Sequence, residues 1–87
     1  MKTKISVRVI ERMKPGDRIS DTEVPGFECR RYPTGRVSFF CYHRTRDGQQ
    51  RRPKLGNYPV LLPEHARQHA REMLADAYKG HDPSLDR

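Results

Sequence analysis

The residues best suited to chemistry in this chain are cationic, and they are concentrated in its middle. Residues 30–54 contain eight Arg or Lys side chains and one acid, Asp47, whereas the other 62 residues carry ten basic and ten acidic groups. The whole net charge of +7 therefore arises in 25 residues. A solubilising surface mixes both signs, whereas a cluster of one sign creates a local potential that attracts phosphate. We therefore expect this segment to bind a polyanion.

The other reactive residue types do not form a recognisable catalytic or metal site. Cys29 and Cys41 lack the paired spacing of a zinc site, and we expect both to be buried thiols. His65 and His69 stand four residues apart on a predicted helix, but no further ligand completes a set, so a solvated helix face is the better interpretation. No carboxylate pair or activated His lies on the basic strands, which disfavours a nuclease. We expect a binding protein with no cofactor and no metal.

Length and composition favour one small domain with a thin core. The chain has 87 residues, of which 33% are hydrophobic and 33% are charged. No apolar run approaches the ~20 residues that span a bilayer, and the first residues lack a signal-peptide pattern. We expect a cytoplasmic protein that does not contact a membrane.

Three predicted strands would position the basic side chains. Residues 27–32 and 36–44 are strand-like segments, and the Pro-Thr-Gly at 33–35 connects them tightly. Asp-Gly at 47–48 indicates a hairpin, so residues 49–55 would return antiparallel, with Pro53 requiring an edge position or a bulge. The pattern predicts a three-stranded antiparallel meander.

Two helices are expected beside this sheet. Ser6 would cap a short helix over residues 7–13, and Pro63 would begin a longer one that Gly80 ends. One apolar stripe on the longer helix would pack on the sheet, while Arg67 and Arg71 would face solvent as surface charges. The apolar stripe consists of Ala66, Ala70, Met73, Leu74 and Ala77. The predicted fold class is α+β: a three-stranded antiparallel sheet packed against a C-terminal helix, with a short N-terminal helix.

Alternation along the strands separates a core face from a basic face. The predicted core set is Phe27, Cys29, Phe39, Cys41 and Leu55. The opposite face would carry Glu28, Arg30, Tyr32, Ser38, Phe40, Tyr42, Arg44, Gln50, Arg52 and Lys54. Such a face fits the major groove of DNA, where Arg reads guanine and Gln reads adenine. Two alternatives remain: the basic face is merely solvated, or the register is shifted by one residue, which would bury Phe40 and Tyr42.

The order of motifs resembles the N-terminal arm DNA-binding domain of tyrosine-type integrases of phages and genomic islands. The resemblance covers about residues 5–83. Its marks are the Met-Lys-Pro that ends the first helix, residues 21–27 (DTEVPGF), residues 34–39 (TGRVSF), residues 51–59 (RRPKLGNYP), the helix residues 66–72 and the closing Gly-His-Asp-Pro at 80–83. The chain departs from the family pattern at Arg31, Pro53 and Leu62.

The resemblance implies a domain that binds arm-type sites on double-stranded DNA and does not cut. Catalysis in that family belongs to a separate domain, so residues 1–83 would form the arm-binding domain and residues 84–87 the start of a linker. Other integrase protomers and DNA-bending accessory factors are implied as further partners, in a bacterial, nucleoid-associated setting. A module that contacts such proteins is the alternative function. The expected DNA contacts are Arg30, Arg36, Ser38, Tyr42, Arg44, Arg46, Gln50, Arg52 and Lys54.

Overall fold

A computed structural model, which describes residues 2–45 and 47–78, shows an antiparallel sheet packed against two helices. Four strands pair in the order β1-β2-β3-β6, and the short strands β4 and β5 form a separate hairpin. The elements are α1 (Val7–Arg12), β1 (Arg18–Ser20), β2 (Phe27–Arg31), β3 (Val37–Cys41), β4 (His43–Arg44), β5 (Gln50–Arg51), β6 (Lys54–Tyr58) and α2 (Pro63–Tyr78). The predicted α+β class is confirmed. Within the described residues, no helix has the length and apolar character needed to cross a membrane.

Both helices cover the same face of the sheet, and the core lies between them and it. Phe27 and Phe39 are fully buried with ring centroids 5.9 Å apart. The small side chains of Ala66 and Ala70, also fully buried, let α2 approach so closely that the Cys41 thiol lies 3.9 Å from the Ala70 carbonyl oxygen. Burial of each phenylalanine contributes about 1.5–3 kcal/mol, so these two rings are major stabilising elements of a small core.

Local sequence explains the bounds of α1. The Ser6 hydroxyl accepts a hydrogen bond from the Val9 backbone N–H at 3.2 Å, which confirms the predicted cap. At the other end, the Arg31 guanidinium donates to the carbonyl oxygen of Ile10 at 2.8 Å. Arg31 lies on the helix-covered side of β2, where it gives the Ile10 carbonyl a second hydrogen bond beside the one from the Met13 N–H at 3.1 Å.

The sheet has one strand more than predicted, and its last strand begins later. Arg18–Ser20 pairs with β2, because Ile19 is buried beside Cys29 and its two polar neighbours can face outward. Pro53 separates β5 from β6, as its missing N–H requires, while its carbonyl accepts from Cys41 at 3.1 Å. A bulge follows at Leu55, since Phe39 and Phe40 pair with Gly56 and Lys54. The third predicted strand is thus interrupted near Pro53, as expected, and β6 continues to Tyr58.

The prediction that Arg67 faces solvent is wrong. Its side chain is only 8% exposed, and its guanidinium contacts Asp21 Oδ1 at 3.0 Å and Oδ2 at 3.3 Å. Asp21 also accepts backbone hydrogen bonds from Ile5, Glu23 and Val24 at 2.8–3.0 Å. Burial alone would raise the pKa of the Asp21 carboxyl, but the hydrogen bonds from Arg67, Ile5 and Val24 outweigh it and hold that pKa below its usual value. Asp21 therefore has a structural role, joining the N-terminal segment to α2. The predicted helix end at Gly80 lies outside the described residues.

Candidate nucleic-acid interface

The face of the four-stranded sheet opposite the helices, here called the open face, is basic and aromatic. The cross-strand register Arg18–Arg30, Ser20–Glu28 and Glu28–Phe40 places these side chains on one side. The open face comprises Arg18, Ser20, Glu28, Arg30, Ser38, Phe40, Lys54 and Asn57, with Tyr32, Tyr42 and Arg52 beside them. Neither helix covers this surface.

Four exposed cations lie on the open face. Arg18 and Arg30 stand directly opposite each other on β1 and β2, and both are exposed. Lys54 lies on β6 at the edge of the sheet, and Arg52 lies in the connection before it, with 47% of its side chain exposed. Like charges directly opposite in a sheet are destabilising. On this surface the Arg18–Arg30 pairing concentrates positive charge, as a site for an anionic ligand requires.

Two of these guanidinium groups contact aromatic rings. The Arg30 guanidinium lies 5.1 Å from the centre of the Tyr32 ring, and that of Arg52 lies 5.5 Å from the centre of the Tyr42 ring. Cation–π contacts of this kind restrict the guanidinium plane while leaving its N–H groups available. They also explain why aromatic residues occur among the charges. Phe40 is half-buried on the open face, so the predicted register is confirmed and the shifted one is wrong.

One acid, Glu28, lies inside this basic surface. Its carboxylate is 3.6 Å from Nε of Arg52, and its side chain is 17% exposed. Glu28 and Arg52 border a shallow cavity of about 150 Å³ together with Arg18, Arg30, Tyr32 and Phe40. The open face thus combines cations, an acceptor-only group and a small recess into which a ligand edge could enter.

The structure divides the predicted contact residues into groups. Arg30, Tyr42, Arg52 and Lys54 lie on or beside the open face, and Arg36 is exposed next to the turn that joins β2 and β3. Arg44 and Gln50 are exposed cross-strand partners on the separate β4–β5 hairpin. Arg46 lies outside the described residues.

Ser38 occupies the expected side of β3 but is fully buried. Its hydroxyl donates to Oδ1 of Asn57 at 2.6 Å, across the pairing of β3 with β6. A ligand on the sheet would meet the neighbouring side chains first.

Sequence reasoning missed Arg18. Its strand has only three residues, too few for alternation to be recognised, although Ile19 is buried between outward-facing neighbours. The signal available in the sequence was the single apolar residue between Arg18 and Ser20.

The two thiols are structural. Both are free and fully buried, as predicted, and burial raises the pKa of Cys29 to about 12 and that of Cys41 to about 11. His65 and His69 are exposed on α2. Among residues 2–45 and 47–78, no group of three or more His, Cys, Asp or Glu is placed to hold a metal ion.

A known protein family matches the chain. The chain matches a family model described as an arm DNA-binding domain over residues 3–87. A search of curated proteins found no significant match. Since the family model spans nearly the whole sequence, the chain belongs to the arm DNA-binding domains, non-catalytic DNA-binding modules typical of tyrosine-recombinase integrases.

Proposed function

We propose that this chain binds double-stranded DNA sequence-specifically at arm-type sites, as the N-terminal domain of an integrase from a prophage or other mobile element. The observation that carries the proposal is the open face: an uncovered sheet surface with four cations, two of them stacked on tyrosine rings. It acts by binding alone, so the parent recombinase would supply the cutting and joining chemistry from another domain. DNA bending by accessory factors and contacts with other protomers would then bring arm and core sites together.

The dimensions of the open face suit the major groove. Adjacent strands lie ~4.8 Å apart, so the central strands form a ribbon that fits a groove ~12 Å wide. Arg30 and Arg52, held against their tyrosines, would direct guanidinium forks at guanine O6 and N7. Lys54 at the edge would contact phosphate and fix the register.

The β4–β5 hairpin extends the same interface. Arg44 and Gln50 are neighbours across it and both are exposed, so a phosphate contact and an adenine contact would lie side by side. Arg36, near the β2–β3 turn, would contact the DNA backbone at another point of the site.

Fluorescence anisotropy tests the proposal. The ligand is a labelled duplex selected by the protein from a randomised pool, compared with a scrambled duplex of the same composition across a salt series. Six cations close to the DNA, the four of the open face with Arg36 and Arg44, give an expected log–log salt slope of about −5. The variant Arg30→Ala/Arg52→Ala removes two charges from the open face and should abolish the preference for the selected duplex. The matched control, Arg8→Ala/Arg12→Ala, removes two exposed charges from α1 and should retain that preference.

Three outcomes contradict the proposal in different ways. Equal, strongly salt-dependent binding to both duplexes would reduce the open face to a nonspecific cationic surface. Equal losses in the two double variants would show that net charge, rather than the open face, governs binding. The absence of binding, or a salt slope near zero, would favour the alternative, a module that uses Phe40 and Tyr42 to contact another protein.

A further inference from the structure

Glu28 is the one residue of the open face whose charge opposes DNA binding. It lies on β2 opposite Phe40, between the cations Arg18, Arg30 and Arg52 that border the same recess. A carboxylate brought towards phosphate is repelled, and one that loses water without gaining a donor is destabilised. Arg52 compensates part of this charge through Nε at 3.6 Å, and the carboxylate lone pairs that Arg52 does not occupy need donors from the DNA in the complex.

The major groove offers one kind of donor that can compensate it. An ionised carboxylate only accepts hydrogen bonds. The only donors on base edges in that groove are the exocyclic amines of cytosine N4 and adenine N6, whereas guanine O6 and thymine O4 are keto acceptors. A carboxylate held against the base edges therefore favours an amino base and rejects a keto base on the strand that it faces.

The contact with Arg52 fixes the direction of this carboxylate. Nε of Arg52 is 3.6 Å from Glu28 Oε1, and the same guanidinium stacks over Tyr42. The ion pair uses the Nε side of the fork, which would leave the terminal amino groups of Arg52 for a guanine in the complex. Glu28 and Arg52 would thus read adjacent groove positions with opposite hydrogen-bonding character.

We propose that Glu28 is a specificity-determining residue: it requires an exocyclic amine, of cytosine or adenine, at one position of the bound duplex and positions Arg52 beside it. This inference rests on the proposed DNA-binding function. It adds a base preference that the positive charge of the surface cannot provide. Glu28 also lowers affinity for arbitrary DNA, because it keeps one negative charge close to the phosphates.

The test is selection from a randomised duplex pool with the wild-type protein and with Glu28→Gln. Glutamine has nearly the same shape but both donates and accepts, so it can bind amino and keto bases alike. We expect one position of the wild-type motif to be restricted to cytosine or adenine and to admit keto bases as well with Glu28→Gln; the bases recovered distinguish the two amines. Binding to scrambled duplex at low salt should rise about fivefold, the effect of one unit charge near contact distance in water.

The control variant Glu11→Gln makes the same change on the exposed surface of α1. It should leave the motif unchanged and raise binding to scrambled duplex by less than Glu28→Gln does. Circular dichroism of both variants establishes that they are folded before selection.

The outcomes separate this inference from the proposed function. If the wild-type protein selects a motif and Glu28→Gln selects the same motif with every position equally restricted, the role of Glu28 is refuted while sequence-specific binding stands. A wild-type motif without an amino-restricted position also refutes it. If the wild-type pool does not converge, both proposals fail, because there is no sequence preference for Glu28 to determine.

Discussion

Replacing Arg67 by methionine should remove a large part of the protein's stability. Methionine fills a similar space but leaves Asp21, whose side chain is fully buried, with three backbone N–H partners and no counter-charge. Arg67 also donates to the Ile5 carbonyl oxygen at 2.6 Å and lies 5.7 Å from the centre of the Phe27 ring. Removing one partner of a buried ion pair costs about 3–5 kcal/mol. A chain of 87 residues has a total stability of roughly 4–13 kcal/mol.

The matched control is Arg71→Met, one helical turn further along α2. Arg71 has a side chain that is 52% exposed and contacts Glu23 at 3.4 Å, so its loss should cost less than about 1 kcal/mol. Arg67→Lys keeps the charge but not the fork that reaches Ile5 and both Asp21 oxygens, and should fall between the two. Urea unfolding followed by circular dichroism gives the three free energies. Losses for Arg67→Met and Arg71→Met that agree within about 1 kcal/mol would refute the reasoning.

Three further predictions concern the fold. Folding lowers the pKa of Asp21, so the contribution of this carboxylate to the free energy of unfolding should be full above about pH 5. It should disappear as the pH falls through 3.8 towards the folded-state pKa. In urea unfolding between pH 5 and 2, the free energy of unfolding should therefore fall less steeply for Asp21→Asn than for the wild-type protein. Gly26→Ala should lower the melting temperature more than Gly48→Ala. Both glycines have a φ near +90°, which costs about 1–2 kcal/mol for alanine. Of the two, only Gly26 would place the new Cβ against backbone atoms, those of the β3–β4 connection. Equal shifts would contradict this. Cys29 and Cys41, with pKa values of about 12 and 11, should not react with a disulfide reagent at pH 8 until urea unfolds the chain, and rapid reaction of the folded protein would show that the thiols are accessible.

Features set by short-range patterns could be predicted from the sequence. The alternation of Phe27, Cys29, Phe39 and Cys41 gave the register of the central strands, because a shift by one residue would have placed every core side chain in solvent. The Ser6 cap depends on a contact three residues away. The basic segment likewise predicted which side of the sheet would be cationic and exposed, since charge cannot be buried without a partner.

Features set by long-range contacts could not be predicted. Arg67 and Arg71 look alike on a helical wheel, and what distinguishes them is Asp21, 46 residues earlier than Arg67. Ser38 had the polarity of a surface residue, and it is buried because Asn57 on a neighbouring strand accepts its hydrogen bond. Arg18 joins the open face through pairing of a three-residue strand, which no local pattern requires. In each case the partner, rather than the residue itself, decides the environment.

The contact between Asp21 and Arg67 also bears on the order in which the chain folds. It joins residues 46 positions apart, and the bond from Arg67 to Ile5 joins residues 62 positions apart. Closing such long loops is entropically unfavourable unless intervening segments have already folded. The β-hairpins, which join near neighbours, would therefore form first and α2 would dock last. Interactions absent from the transition state mainly slow unfolding. The buried pair would thus act chiefly as a kinetic barrier that keeps α2 attached once the domain has folded.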